Sequence, residues 1–224
     1  GGNDTLSGGA GNDTINGGDG TDTVTYAGLG NGVTVNLVNG NASGDGSDNL
    51  VAIENVIGTG FADDIKGNAL ANTVLAGGGN DVVDGGDGND QVDAGAGDDN
   101  LTGGLGNDTL LGGDGVDTIN AGAGNDGVQG GAGNDILDGG AGVDLLSYAT
   151  ATAGVTVNLA TNTVSGGDGD TITGFESVSG SGFADTLVGS SVANSLTGGG
   201  GTDTLTGAAG DDSLPGRDRL FRLG

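Results

Sequence analysis

The 224-residue sequence predicts an all-β fold, a stack of short parallel strands joined by tight turns, with two nine-residue units to a coil. Three observations carry this expectation. Glycine supplies 56 residues, far too many for helices. A nine-residue frame runs without a gap from Ala76 to Ser147. Within it an aliphatic residue always stands two places after an aspartate, as a strand with one inward side chain requires.

The frame reads AGGGNDVVD, GGDGNDQVD, AGAGDDNLT, GGLGNDTLL, GGDGVDTIN, AGAGNDGVQ, GGAGNDILD and GGAGVDLLS. Position six is Asp81, Asp90, Asp99, Asp108, Asp117, Asp126, Asp135 and Asp144. Position eight is Val83, Val92, Leu101, Leu110, Ile119, Val128, Leu137 and Leu146. The tail of each unit predicts a three-residue strand. Its glycine-rich head predicts a turn, with Asn80, Asn107, Asn125 and Asn134 at position five tolerating the left-handed region. The same frame opens the chain at Asp4, Asp13 and Asp22.

Two units make a coil of 18 residues, so alternate turns fall on opposite edges of the stack. Asp81, Asp99, Asp117 and Asp135 line one edge; Asp90, Asp108, Asp126 and Asp144 line the other. Coils stack about 4.8 Å apart, a spacing at which like charges repel. A divalent cation between successive aspartates reverses that sign. Carboxylate and turn-carbonyl oxygens are hard ligands that suit Ca²⁺, with its flexible shell, better than Mg²⁺.

Composition points the same way. The chain holds 31 acidic and 4 basic residues, for a formal charge of −27, and only 3% aromatic residues. Such a surface repels nucleic acid and anionic lipid and attracts cations. The absence of cysteine and histidine excludes disulfides, thiolate sites and the usual zinc ligands. No apolar run is long enough for a membrane helix, and GGNDTLSGG shows no signal-peptide pattern. No GxxxxGK[ST], HExxH or GxSxG pattern occurs, and the run Asp168-Gly169-Asp170 is too short for an EF-hand loop.

A duplication with an offset of 122 residues is superimposed on the frame. It maps Tyr26 onto Tyr148, GVTVNL (32–37) onto GVTVNL (154–159), Glu54 onto Glu176, GTGFAD (58–63) onto GSGFAD (180–185), and Asn72 onto Asn194. The expected organisation is repeats at 1–25, a strand-bearing insert at 26–48, repeats with the central array at 49–147, a second insert at 148–170, and repeats at 171–214. An out-of-frame tail follows at 215–224. Degenerate nonads extend the central frame back to residue 49, with Glu54, Asp63 and Asn72 in the aspartate slot.

The array resembles the GGxGxDxUx motif of the RTX (repeats-in-toxin, haemolysin-type) calcium-binding proteins. The segments IENVIGTGFADDIKGNALANTVLAGGGND and FESVSGSGFADTLVGSSVANSLTGGGGTD are similar to those joining nonapeptide blocks in that family. The resemblance covers nearly the whole chain except 215–224. It implies a right-handed parallel β-roll, a calcium-bound β-solenoid here present in two offset copies. Several Ca²⁺ ions then lie between turns one coil apart, on the pairs 81/99, 99/117, 117/135, 90/108, 108/126 and 126/144. The implied ligands are Asp13, Asp22, Asp63, Asp81, Asp90, Asp99, Asp108, Asp117, Asp126, Asp135, Asp144, Asp185 and Asp203. To these it adds the main chain of Gly85, Gly86, Asp87 and Gly88; Gly95, Ala96 and Gly97; Gly103, Gly104, Leu105 and Gly106; Gly112, Gly113, Asp114 and Gly115; Ala121, Gly122, Ala123 and Gly124; and Gly130, Gly131, Ala132 and Gly133. Sites at Glu54, Asn72, Glu176 and Asn194 are expected to be weaker or absent, and Phe61 and Phe183 to cap or pack.

By the same resemblance the chain is expected to be secreted by bacterial type I machinery, unfolded in a low-calcium cytosol and folded outside. The family's export signal lies at the extreme C-terminus, which PGRDRLFRLG does not resemble. The expected role is a non-catalytic folding or structural module beside a catalytic or adhesive domain. The alternative is an adhesive solenoid whose flat face binds glycan or ice. A regular ladder of carboxylates is unlike the isolated, split pair that acid–base hydrolysis needs, so no enzyme is expected.

Overall fold

The computed structural model describes residues 1–166 and 169–215, together with the backbone of 219–222. Asp168, in the run read above as too short for an EF-hand loop, lies outside these residues. Among the described residues there are strands and turns but no helix, and hence none long and apolar enough to cross a membrane. The strands form two sheets facing each other across a thin core, a parallel β-roll.

Sheet I has ten strands, in the order Thr5–Leu6, Thr23–Thr25, Asn55–Ile57, Thr73–Gly78, Gln91–Ala96, Thr109–Asp114, Gly127–Ala132, Leu145–Ser147, Ser177–Ser179 and Ser195–Thr197. Sheet II has 15 strands. Its regular part runs Asp64–Lys66, Val82–Asp87, Asn100–Leu105, Thr118–Ala123 and Ile136–Asp138. In both sheets the central strands pair in parallel with an 18-residue register, such as Gln91 with Thr109 and Val82 with Asn100. Alternate nonads thus supply alternate sheets, as the frame predicts.

The position-eight side chains from Val83 to Leu146 are all buried, and they meet between the sheets. The strands from Val82 to Ala132 are longer than the expected three residues, six in each, running on through positions one to three; Ile136–Asp138 and Leu145–Ser147, which close the array, keep three. The cause is the two-residue alternation of side chains. Positions six, eight and one all face inward, so Ala76, Ala94 and Ala121 join the core at position one. The chain reverses through glycines at positions two and four, as in Gly86 (φ 106°) and Gly88 (φ 120°). The position-five asparagines are not left-handed; among the described residues only Ala52, Asn162 and Ala208 have positive φ without being glycine.

The inserts enter sheet II alone. In the first, Thr34–Asn36, Asn41–Ser43 and Ser47–Val51 form an antiparallel meander between Thr14–Asn16 and Asp64–Lys66. The second repeats it with Thr156–Asn158, Thr163–Ser165 and Thr171–Thr173. Sheet I passes each joint directly, Thr23–Thr25 pairing with Asn55–Ile57 and Leu145–Ser147 with Ser177–Ser179. Val33, Val35 and Leu37 and their counterparts Val155, Val157 and Leu159 are buried, as an alternating strand requires.

The meander corrects one expected phase. Asn49 pairs with Thr14 and Leu50 with Ile15, so residue 49 does not open a new turn; Asp48 takes the slot of Asp13 one strand away. In the tail, Arg219–Arg222 adds a parallel strand beside Asp203–Thr206, while 216–218 and 223–224 lie outside the described residues.

Candidate metal sites along the turn edges

The position-six aspartates stand where each turn re-enters a strand, with the side chain inward. All eight of the array are at most 2% exposed. Each uses one oxygen in the same way: Oδ1 accepts the main-chain N–H of the residue in the same slot one coil earlier. Asp99 takes that of Asp81 at 2.7 Å, Asp117 that of Asp99 at 2.9 Å, Asp108 that of Asp90 at 2.8 Å, and Asp126 that of Asp108 at 2.7 Å. Asp81 and Asp90 reach back to Asp63 and Asn72, and Asp135 and Asp144 to Asp117 and Asp126. The expected pairs are thus neighbours, linked by carboxylate to main chain.

A second ladder runs the other way on the rim. The position-five oxygen of Asn89 accepts the N–H of Asn107 at 2.8 Å, Asn107 that of Asn125 at 2.7 Å, and Asp98 that of Val116 at 2.9 Å. Asparagine at position five therefore serves as an acceptor toward the next coil.

The other carboxylate oxygen is different. Among the described residues, Oδ2 of Asp13, Asp22, Asp81, Asp90, Asp99, Asp108, Asp117, Asp126 and Asp144 is buried with no hydrogen-bond partner. A buried charged oxygen without a donor costs several kcal/mol unless a cation meets it. Burial accordingly raises the array carboxyls above their ordinary 3.8: Asp81 to about 7, Asp90 and Asp117 to about 6, and Asp99, Asp108, Asp126 and Asp144 in the same direction. Main-chain donors oppose the shift, and neighbouring carboxylates add to it.

Main-chain oxygens converge on the same places. The point a Cβ on Gly85 would occupy lies 2.5 Å from Asp90 Oδ2 and 2.8 Å from the carbonyl oxygen of Gly103, one coil on. At Gly103 the pair is Asp108 Oδ2 and the Ala121 carbonyl; at Gly112 it is Asp117 Oδ2 and the Gly130 carbonyl. Position-one carbonyls are thus brought to the free carboxylate oxygen. Position-three carbonyls are already engaged: Leu105, Asp114, Ala123 and Ala132 accept the N–H of Gly88, Gly97, Gly106 and Gly115. Position-two and position-four carbonyls, those of Gly86 and Gly88, sit against the following coil at Gly104 and Gly106. Among the described residues no three acidic side chains gather at one point. A bound ion would therefore be held by carboxylate oxygens and turn carbonyls together, all hard oxygens, which fits calcium.

A scan against family models matches the RTX calcium-binding nonapeptide repeat (4 copies) at residues 1–33, 57–92, 93–128, 111–146 and 179–214, more than half of the chain. The chain belongs to this RTX family. No curated protein matched it. RTX repeats on a β-solenoid support calcium binding, and the roll is a structural calcium-binding architecture rather than a known enzyme fold.

The slots of Asp63, Asn72, Asp185 and Asn194, beside the joints, are satisfied from within. Asp63 accepts the N–H of Val33 at 2.7 Å and both the N–H and hydroxyl of Thr59, at 2.6 and 2.9 Å. Asp185 does the same with Val155 and Ser181. Asn72 accepts the N–H of Asn68 and donates its amide to the Glu54 carbonyl; Asn194 repeats this with Ser190 and Glu176. Asp203 accepts the N–H of Asp185 at 3.0 Å. Phe61 and Phe183 stay 47% and 48% exposed on the turn rather than packing into the core.

Four ladder members escaped the sequence-derived ligand set. Asp48 and Asp170 accept the N–H of Asp13 and Asp135, and Tyr26 and Tyr148 donate their hydroxyls to them at 3.3 and 2.8 Å. Burial first, then the facing carboxylate, raises both phenols. Asp212 accepts the N–H of Asn194, and Asp4 donates its own to Asp22. The local signal was present: Asp48-Asn49-Leu50, Asp170-Thr171-Ile172 and Asp212-Ser213-Leu214 each place an aliphatic two residues after an aspartate.

Proposed function

We propose that this chain is a calcium-dependent folding module of a secreted protein: it stays unfolded where calcium is scarce and closes into the β-roll outside the cell. The carrying observation is the row of buried, donor-free Oδ2 atoms along both edges of the array. The ligand set this supports is Asp81, Asp90, Asp99, Asp108, Asp117, Asp126 and Asp144, with Asp22 in the first block and the position-one carbonyls beside them; Asp135 joins the set by its place in the repeat. Asp63 and Asp185 are left out, because proton donors already fill their oxygens.

When bound, Ca²⁺ supplies the positive charge that the stacked carboxylates lack. The chain itself supplies register, through Oδ1, and a dry edge, through the position-eight aliphatics. Binding to the folded form alone adds its free energy to folding. Extracellular calcium modules work at about 10⁻⁴–10⁻³ M, which suits a switch thrown by export. The module would then act as a folding clamp or spacer for a catalytic or adhesive partner domain. The repeat blocks and the two joints are the units in which we expect it to be organised.

Far-UV circular dichroism of the metal-free chain during a Ca²⁺ titration, with Mg²⁺ as control, tests this. A cooperative coil-to-β transition with Ca²⁺ alone is expected. Full β structure in chelator would sink the folding switch.

A further inference from the structure

Of the 31 acidic residues only two are glutamates, Glu54 and Glu176, and the 122-residue offset superposes them. Both lie outside every segment matched to the repeat family. Both stand on the sheet I edge, where an array meets a joint.

The turn there is shorter than in the array. Array turns run five steps from position one to position six, as from Gly103 to Asp108. At the joint the carbonyl facing Gly17 is that of Ala52, and the carboxylate follows only two steps later, at Glu54. Gly139 likewise faces the Gly174 carbonyl, with Glu176 two steps on. A carboxylate displaced by three residues needs a longer arm, and the extra methylene supplies it. Glu54 Oε2 accepts the N–H of Asp22 at 2.8 Å and Glu176 Oε2 that of Asp144 at 3.0 Å, as Oδ1 does in the array.

The aspartates they face are fully buried. Asp22 and Asp144 have no exposed surface, and Oδ2 of each has no hydrogen-bond partner. Each Oδ2 is turned toward the point beside Gly17 or Gly139 on which the Ala52 or Gly174 carbonyl also converges. The sheet II edge of each joint is built differently. There a tyrosine hydroxyl donates to Asp48 or Asp170. The three atoms nearest the corresponding points at Gly8 and Gly130 all belong to the turn's own aspartate, with no carbonyl among them.

We propose that Glu54 and Glu176 each complete a divalent-cation site with the carboxylate of Asp22 or Asp144 and the carbonyl of Ala52 or Gly174, and that the tyrosine edge of each joint binds none. This rests on the reading of the array as calcium-binding. Two carboxylates balance the charge of one Ca²⁺, and the carbonyl and water supply further oxygens. The sites differ from those of the array in ending a row, so each holds the last ion of its edge.

The test is calcium stoichiometry of the full chain by equilibrium dialysis at saturating Ca²⁺, for wild type, Glu54→Gln, Glu176→Gln and the double variant. Glutamine keeps an oxygen for the aspartate N–H, so a purely structural glutamate leaves the count unchanged. One ion fewer in each single variant and two fewer in the double are expected; an unchanged count overturns the proposal. A wild type that binds no calcium would instead overturn the array reading itself.

Wild-type protein labelled with [¹³C]glutamate gives a second readout, independent of whether the variants fold, because only two carboxylates carry the label. Their infrared stretches should move when Sr²⁺ replaces Ca²⁺. Bands indifferent to the ion overturn the assignment.

Discussion

Replacing Asp117 by asparagine separates what the carboxylate does for register from what it does for charge. The amide keeps Oδ1, and with it the N–H of Asp99. It removes a buried charge whose carboxyl is pushed from 3.8 to about 6, first by burial and then by Asp135 and Asp99. Two pH units correspond to about 3 kcal/mol that the metal-free roll spends on keeping this group ionised at neutral pH. The chain already shows how an amide behaves in the slot, since Asn72 donates to the carbonyl one coil back at 2.6 Å. Asp117→Asn should therefore stabilise the metal-free roll by up to about 3 kcal/mol. In saturating Ca²⁺ it should destabilise by about 3–5 kcal/mol, the cost of removing one partner from a buried charge pair. Far-UV circular dichroism reads both signs, as β signal gained over wild type in chelator and as a lowered urea midpoint in saturating Ca²⁺. A lowered midpoint with β signal in chelator no greater than that of wild type would refute the assignment of Oδ2 to a cation.

Three further outcomes are expected. Because Asp81, Asp90 and Asp117 titrate above 3.8 in the folded chain, the folded form binds more protons than the unfolded one between about pH 4 and 7. Stability of the metal-free roll should then rise as pH falls through that window, while calcium affinity falls; a circular-dichroism pH titration in chelator that gains no β signal from pH 7 to 5 would contradict it. Gly106 has φ 125°, and a Cβ there would fall on the Gly88 carbonyl, so Gly106→Ala should cost about 3 kcal/mol in the urea midpoint at saturating Ca²⁺. Ala52 holds φ 50° where its counterpart Gly174 has 72°; Ala52→Gly should gain up to about 1 kcal/mol, and a clear loss in thermal melts would show that its methyl matters.

Much of this architecture was legible in the residues. The aliphatic two places after each aspartate fixed the inward face, and the nine-residue step fixed which aspartates share an edge, since both follow from strand alternation and from two strands per coil. Position one was less readable. Glycine there looked like part of the turn, because an absent side chain carries no sign of direction; Ala76, Ala94 and Ala121 were the clue that it faces the core. The strand in each insert was visible in Val-Thr-Val-Asn-Leu, but the reversal that brings Asp48 and Asp170 back into the ladder was not. It depends on a pairing 35 residues apart that no local pattern announces. Nor could the spacing show that Thr59 and Ser181 donate to Oδ atoms beside the joints, while Oδ2 of Asp81, Asp90, Asp99, Asp108, Asp117, Asp126 and Asp144 meets no donor.

The joints constrain how this chain can change in length. Each has one glutamate side and one tyrosine side, tied to sheet I and sheet II respectively. From Glu54 to Asp144 is 90 residues, an even number of nonapeptides, and both ends lie on the same edge. Loss or gain of a single nonapeptide between them would leave Glu176 facing Asp144 and Tyr148 facing Asp170, but would carry the second glutamate to the opposite edge and the second meander into the opposite sheet. Loss or gain of a pair would keep both meanders in one sheet. A repeat written in nines therefore keeps its two joints on one face only when it grows in eighteens.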